Sequence, residues 1–285
     1  MILATSNLEP DSDEALLTAA ELARLSATSL TVLHCLKRPQ FPQSLSQVQE
    51  VEALEAAQQM LCEQLGRTGL LERATPMVRP GPAGKTIVEV AEELSASMIT
   101  LGPHRPRSLF SELLGSTGDY ILRTAPAPCL IANQHPHMPP RRVLATTDFS
   151  LASLESVRLL LGWLKTVAEG STTVVELLYV HTGKENEDSP VEVSLQSHLH
   201  EATAQLELPA NIKLRERVLL APAVYEGIRR AAEEMRTDLV VLGTHGHNFV
   251  ARLIIGSVTT ACSRHLPFPL LVVPARTTVA TESPS

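Results

Sequence analysis

Apolar positions along this chain come in short runs separated by longer amphipathic stretches. In the second half, runs near 142–147, 173–180, 214–220, 238–242 and 269–273 predict buried strands. Between them, 151–168, 190–206, 223–236 and 249–264 carry helical spacing, and Ser150 is a candidate cap for the first. Leu239 to Leu242 is apolar without interruption, as in a parallel strand covered on both faces. Alternating strands and helices imply right-handed crossovers and a doubly wound α/β sheet. Such sheets bind ligands beyond the carboxyl ends of their strands, at the switch point. Asp148, Val180 and Gly243 all fall there.

Sliding the sequence by 141 residues aligns its halves. Ile2-Leu3-Ala4-Thr5 falls on Val143-Leu144-Ala145-Thr146, Gly102 on Gly243, and Gly115-Ser116 on Gly256-Ser257. Pro126 and Pro128 fall on Pro267 and Pro269. A repeat this long is a duplicated domain, since solenoid units run to about 20–50 residues. The proline-rich stretch His135 to Arg142 reads as the connector. The expected domains are residues 1–138 and 139–285.

The second copy carries candidate chemistry in Gly243-x2-Gly246-x9-Gly256-Ser257. A strand stops at a glycine, a loop follows, and a helix opens at a Gly-Ser pair. Glycines there permit positive φ and close approach of a ligand to the backbone. Amide N–H groups at a helix start suit a phosphate. The spacing is neither the P-loop, which ends in Gly-Lys-Ser/Thr, nor the dinucleotide fingerprint G-x-G-x-x-G.

That motif, with Asp238-Leu-Val-Val-Leu before it and His265-Leu-Pro-Phe-Pro-Leu-Leu-Val-Val after it, resembles the ATP-binding signature of the universal stress protein family. Val143-Leu-Ala-Thr-Thr-Asp148-Phe-Ser and Leu178-Tyr-Val180-His181 resemble its first two strand ends. The resemblance covers about 135 residues of the second half, and a weaker copy covers the first. It implies two tandem Rossmann-like α/β domains, each a five-stranded parallel sheet in order 3-2-1-4-5 with helices on both faces.

It also implies site roles. Gly243 and Gly246 would shape the loop against ribose and phosphates. Gly256, the Ser257 hydroxyl and the N–H groups of Ser257 and Val258 would cradle the β- and γ-phosphates. Asp148 would accept a hydrogen bond from the nucleoside and help hold a divalent cation such as Mg²⁺. Val180 would offer backbone groups to adenine, its side chain mattering little, and Thr146 would line the same crevice. The ligand would be ATP, ADP or AMP.

The first copy departs from this pattern. Asn7 occupies the register of Asp148, Arg105 that of Gly246, and Cys35 that of Val180, while Gly102, Gly115 and Ser116 remain. Either the site is lost and Arg105 fills it, or Arg105 holds a different anion. Loss of the loop glycine favours a degenerate site.

Composition narrows the function classes. Hydrophobic residues make up 44% of the 285 and charged residues 19%, enough apolar material for two cores. The net charge of −7 divides as ten basic against fifteen acidic residues up to 138, and fourteen against sixteen after it. Neither half is basic, so nucleic acid is not an expected partner. No apolar run approaches membrane length and no leader pattern is evident, so a cytoplasmic setting is expected. Cys35, Cys62, Cys129 and Cys262 lack CxxC spacing and read as reduced, mostly buried thiols. The pairs His135/His137, His198/His200 and His245/His247 stand beside no recognised ligand spacing and read as surface histidines, not a metal site.

The leading expectation is therefore a nucleotide-responsive stress regulator that binds ATP in its second domain with little or no turnover. It would act on an unidentified protein partner. The alternatives are a slow ATPase or related adenine-nucleotide hydrolase, and a nucleotide-free interaction scaffold. The apolar last strands, at Ile131 and Leu270 to Val273, invite edge pairing. The resemblance, in whose family such edges pair between subunits, implies that the two copies pair within this chain as a pseudo-dimer, with a further homodimer open.

Overall fold

A computed structural model describes residues 1–37, 47–103, 117–133, 137–183, 190–244 and 256–274. The first copy contributes strands β1 (Ile2–Ser6), β2 (Leu30–Leu36), β3 (Thr75–Pro80), β4 (Met98–Leu101) and β5 (Cys129–Ile131). Its helices are α1 (Asp13–Leu25), α2 (Gln47–Arg67), α3 (Ala83–Glu93) and α4 (Thr117–Thr124). The second copy repeats them as β6 (Arg142–Thr146), β7 (Thr173–His181), β8 (Ile212–Leu220), β9 (Leu239–Gly243) and β10 (Leu270–Val273). Its helices are α5 (Leu151–Val167), α6 (Pro190–Ala204), α7 (Val224–Met235) and α8 (Ser257–His265). The periodicity located all five strands of this copy. The helix expected over 249–264 begins at Ser257, and 249–255 lie outside the described residues.

All ten strands form one sheet, in the order β3-β2-β1-β4-β5-β10-β9-β6-β7-β8. Each half therefore runs 3-2-1-4-5, with parallel pairing throughout. The halves join where β5 meets β10 antiparallel, Ile131 opposite Leu270, Leu130 opposite Leu271 and Cys129 opposite Val272. The expected intrachain pseudo-dimer is thus built by edge strands, and no residue of that seam is more than 4% exposed. Because the seam is antiparallel, the carboxyl edges of the two half-sheets face opposite ends of the molecule.

Side chains alternate across each strand, so the sheet has two apolar faces. One carries Ile2, Ala4, Val32, Leu130, Val143, Ala145, Leu177, Val241 and Leu271 under α1, α2, α5 and α6. The other carries Leu3, Leu33, Ile99, Ile131, Leu144, Leu178, Val240 and Leu270 under α3, α4, α7 and α8. There are two cores, as the composition allowed, but each is one face running through both copies. A core per domain would have needed the seam to be solvated, and it is not. Burying a Leu, Ile or Val contributes about 1.5–3 kcal/mol, so a seam of this kind outweighs the few ladder hydrogen bonds in it.

The two outer edges are blunted. β3 carries Pro76 and Pro80, which cannot donate to a neighbour, and β8 carries Lys213, Arg215, Glu216 and Arg217. Further association by strand pairing is disfavoured, and a homodimer would have to use a helical face. Since each core spans both copies, calorimetry is expected to show a single unfolding transition for the whole chain. Two resolved transitions would mean that the copies fold independently.

Candidate functional site

β6 and β9 lie side by side, and the connection from each leads to opposite faces of the sheet, so a crevice opens beyond their carboxyl ends. Thr146 ties the two strands at this point, its hydroxyl donating to Val241 O at 3.3 Å. A cavity of about 470 Å³ occupies the crevice. Thr146, Asp148, Val180, Gly243, Gly256, Ser257 and Val258 all line it. Gly246 lies outside the described residues, as do His245 and His247.

The loop after β6 is built by short side chains bonding their own backbone. Thr147 Oγ1 accepts from the N–H of Phe149 at 3.0 Å, and its hydroxyl meets that of Ser153 at 3.0 Å. Asp148 Oδ1 accepts from the N–H of Ser150 at 3.0 Å and from its hydroxyl at 2.6 Å. Ser150 then caps α5, accepting from the N–H of Ser153 at 3.2 Å. Phe149 is forced to φ +63°, in the left-handed region that costs a non-glycine residue about 1–3 kcal/mol. Its ring stacks on Tyr179 at 4.5 Å between centroids, which helps hold it there.

The second wall is the end of β7. β6 pairs with β7 only as far as Leu178, whose carbonyl accepts from Thr147 N–H at 3.0 Å, while β7 continues against β8 to His181. By the two-residue period of a strand, the N–H and C=O of Val180 point the same way as those of Leu178, past the end of β6 and into the crevice. The Val180 side chain has its own task. A Cβ on Gly227 would come within 2.6 Å of Val180 Cγ1, so glycine there lets α7 pack down on the strand. This packing is separate from the backbone role expected of Val180, and it seats α7 where Val224 and Ile228 join the cavity wall.

The third wall is the start of α8. Gly256 is its N-cap, its N–H donating to Thr244 O at 3.1 Å, and among the described residues no side chain caps the helix. α5 begins on Ser150; α8 begins uncapped, and its first residues open into the cavity. Thr259 Oγ1 donates to Gly243 O at 2.9 Å and fixes this helix start to the end of β9. The expected positive φ is not found: Gly256 has φ −58°, and Gly243 is the extended last residue of β9, paired with Val273. Nor do the described residues crowd Gly256, whose Cβ would meet none of their atoms closer than Thr244 O at 3.6 Å. Its missing side chain leaves that space to the cavity it lines.

Tyr179, Thr182, Val224, Ile228, Thr244 and Thr259 line the cavity without having been singled out. The i, i+4 spacing of Val224 and Ile228 marks an apolar helix face, but nothing local says that this face reaches a crevice. Thr259, by contrast, was legible as the second residue after the Gly-Ser pair.

The first copy keeps the frame of the loop and loses its charge. Ser6 Oγ accepts from Leu8 N–H at 2.9 Å, Ser6 and Ser12 hydroxyls meet at 3.3 Å, and Leu8 has φ +66°. Asn7 Oδ1 accepts from Glu9 N–H at 3.0 Å, the same turn that Asp148 makes. Strand register sets Cys35 opposite Val180 in the repeat, and burial pushes its thiol up to about 11. At the position of Thr259 stands Gly118. Arg105, Gly115 and Ser116 lie outside the described residues.

His198 sits edge-on to Phe149, whereas His200 lies 3.2 Å from Glu216, so the two serve different neighbours. Among the described residues no three His, Cys, Asp or Glu side chains are grouped to hold a metal ion. Also among them, no helix is long and apolar enough to cross a membrane.

Comparison with known proteins agrees with this geometry. The model of the universal stress protein family matches twice, over residues 1–133 and 140–274. A universal stress protein of Mycolicibacterium smegmatis is 26% identical over 298 aligned residues, covering 96% of this chain and 97% of its own. One from Mycobacterium tuberculosis is 27% identical, covering 91% and 94%. The crystal structure of a universal stress protein from Archaeoglobus fulgidus shares the fold, with a TM-score of 0.67 at 19% identity over 96% of this chain and 98% of that one. Two matched copies, joined in one sheet and spanning nearly the whole chain, make this protein a tandem member of the universal stress protein family.

Proposed function

We propose that the second copy binds an adenine nucleotide, ATP foremost, and that the protein is a stress-response regulator whose state follows that occupancy. The observation that carries the reading is the uncapped start of α8. Its first residues line a cavity that a Gly256 Cβ would narrow, although no atom of the described residues requires glycine there. An anion at that point satisfies the N–H groups and meets the positive end of the helix dipole. Opposite it, the outward backbone of Val180 offers a donor and an acceptor of the kind an adenine edge needs. Leu178, Val224, Ile228 and Leu242 supply an apolar bed for a base.

Asp148 is the one acidic side chain among the described lining residues, and none of them is Lys, Arg or His. A carboxylate beside the phosphates suits a divalent cation such as Mg²⁺. Phosphoryl transfer draws on cationic groups and a positioned base, so this lining favours holding a nucleotide over turning it over. The degenerate first copy has the same turn without the carboxylate, which supports a single nucleotide site per chain. Four unpaired cysteines, two of them buried with thiols pushed up to about 12, fit a reducing cytoplasm.

Two substitutions separate ligand effects from folding. Gly256→Ala is expected to change stability by no more than about 1 kcal/mol, while titration calorimetry shows ATP affinity falling at least about tenfold, or 1.4 kcal/mol. Unchanged affinity would place the phosphates elsewhere. Asp148→Asn keeps the turn, as Asn7 demonstrates in the first copy, so its melting temperature should match the parent. Its affinity for ATP with Mg²⁺ should drop by roughly tenfold, since a hydrogen bond to a charged group contributes about 1.5–3 kcal/mol. If stability fell and affinity held, Asp148 would serve the turn before α5 and nothing more.

A further inference from the structure

α8 runs from the nucleotide cavity to the first copy. Ser257, Val258 and Thr259 line the cavity, and Arg264 in the last turn reaches Asp119 of α4, nitrogen to oxygen 2.5 Å. Nine helical residues span only about 13 Å, and Cys262 between the two ends is fully buried, so the helix shifts as a unit if it shifts at all. The segment just beyond α8 is held too: Asn133 Nδ2 donates to Leu266 O at 3.0 Å and Phe268 O at 3.3 Å.

The pseudo-two-fold is broken here. Arg123 stands at the register of Arg264, but Thr260 stands at that of Asp119, so the mirror pair has no acid. Asp119 is in the first turn of α4, the counterpart of the α8 start, and is only 9% exposed. The contact is therefore directional, from the end of the second copy's anion-facing helix to the start of the corresponding helix in the first. It also has room to change. A groove of about 480 Å³ separates Arg264 and His265 from Pro10, Asp11 and Pro103, and Arg264 Nε is buried without an acceptor. An orphaned donor beside a void means that the observed latch does not exhaust the bonding open to this arginine.

We infer that α8 couples the two copies: nucleotide at its first turn sets the Arg264–Asp119 latch, and the latch carries occupancy of the second site to α4 of the first. This rests on the nucleotide reading above. It gives the degenerate copy a role as the output of the site that its partner copy retains. Coupling is reciprocal, so breaking the latch weakens nucleotide binding, and binding steadies the latch.

Hydrogen exchange on the full chain, with and without ATP and Mg²⁺, tests this together with calorimetric titration of Asp119→Asn and Arg264→Lys. ATP is expected to slow exchange several-fold over residues 117–124 of the parent. Asp119→Asn should abolish that slowing and weaken ATP by roughly fivefold, the lower end of usual coupling, while Arg264→Lys, which keeps the charge, retains most of both. ATP binding at parental affinity in Asp119→Asn, with exchange over 117–124 indifferent to ATP in the parent, would overturn the coupling and leave the nucleotide site standing. No ATP binding by the parent would remove the nucleotide reading and the coupling with it. The exchange measurement on the parent does not depend on either variant folding.

Discussion

Three residue pairs between β5 and β10 govern the rest of this molecule. They merge two half-sheets that would each expose an apolar edge, and they carry both hydrophobic faces through the join without a break. Because the pairing is antiparallel, it sends the two carboxyl edges, and so the two crevices, to opposite ends. It also lays the end of α8 beside the first copy, which is how a helix that opens on one site comes to touch the other domain. Edge pairing usually joins separate chains. Here the covalent repeat has internalised it, and the remaining edges are closed with proline and charge.

Within that frame the two copies have been treated differently. The turn after the first strand is the same in both, down to a left-handed Leu8 and Phe149 held by a hydroxyl two residues earlier. Such strain persists only where the surroundings enforce it, and its presence in both copies shows that it belongs to the fold. What distinguishes the second copy is the carboxylate of Asp148 and Thr259 pinning α8 to β9. The first copy offers an amide and a glycine at those places. The two copies thus carry different side-chain chemistry on the same backbone turn.

Much of this was legible in the sequence. Uninterrupted apolar runs such as Leu239–Leu242 marked strands buried on both faces, the 141-residue offset located the duplication, and the apolar last strands pointed to the seam. Seven of the eight residues expected at the site line one cavity, because strand ends and a glycine-led helix start carry local signatures. What stayed hidden depends on packing between distant elements. Gly227 looks like any helical glycine until Val180 is found against it. Val224 and Ile228 read as core, and the latch joins residues 145 positions apart with no pattern to announce it. The glycine argument also needed correction: Gly256 has an ordinary negative φ, so its value lies in the space it leaves, not the conformation it adopts.

The account stands on one occupied site per chain, in the second copy. Denaturing the purified protein and identifying the released nucleotide by chromatography, with its stoichiometry, tests this most directly. One adenine nucleotide per chain, lost in Gly256→Ala, is the expected result. Two per chain would show that the first copy binds despite Asn7 and Gly118, and none, even after loading with ATP and Mg²⁺, would contradict the account outright.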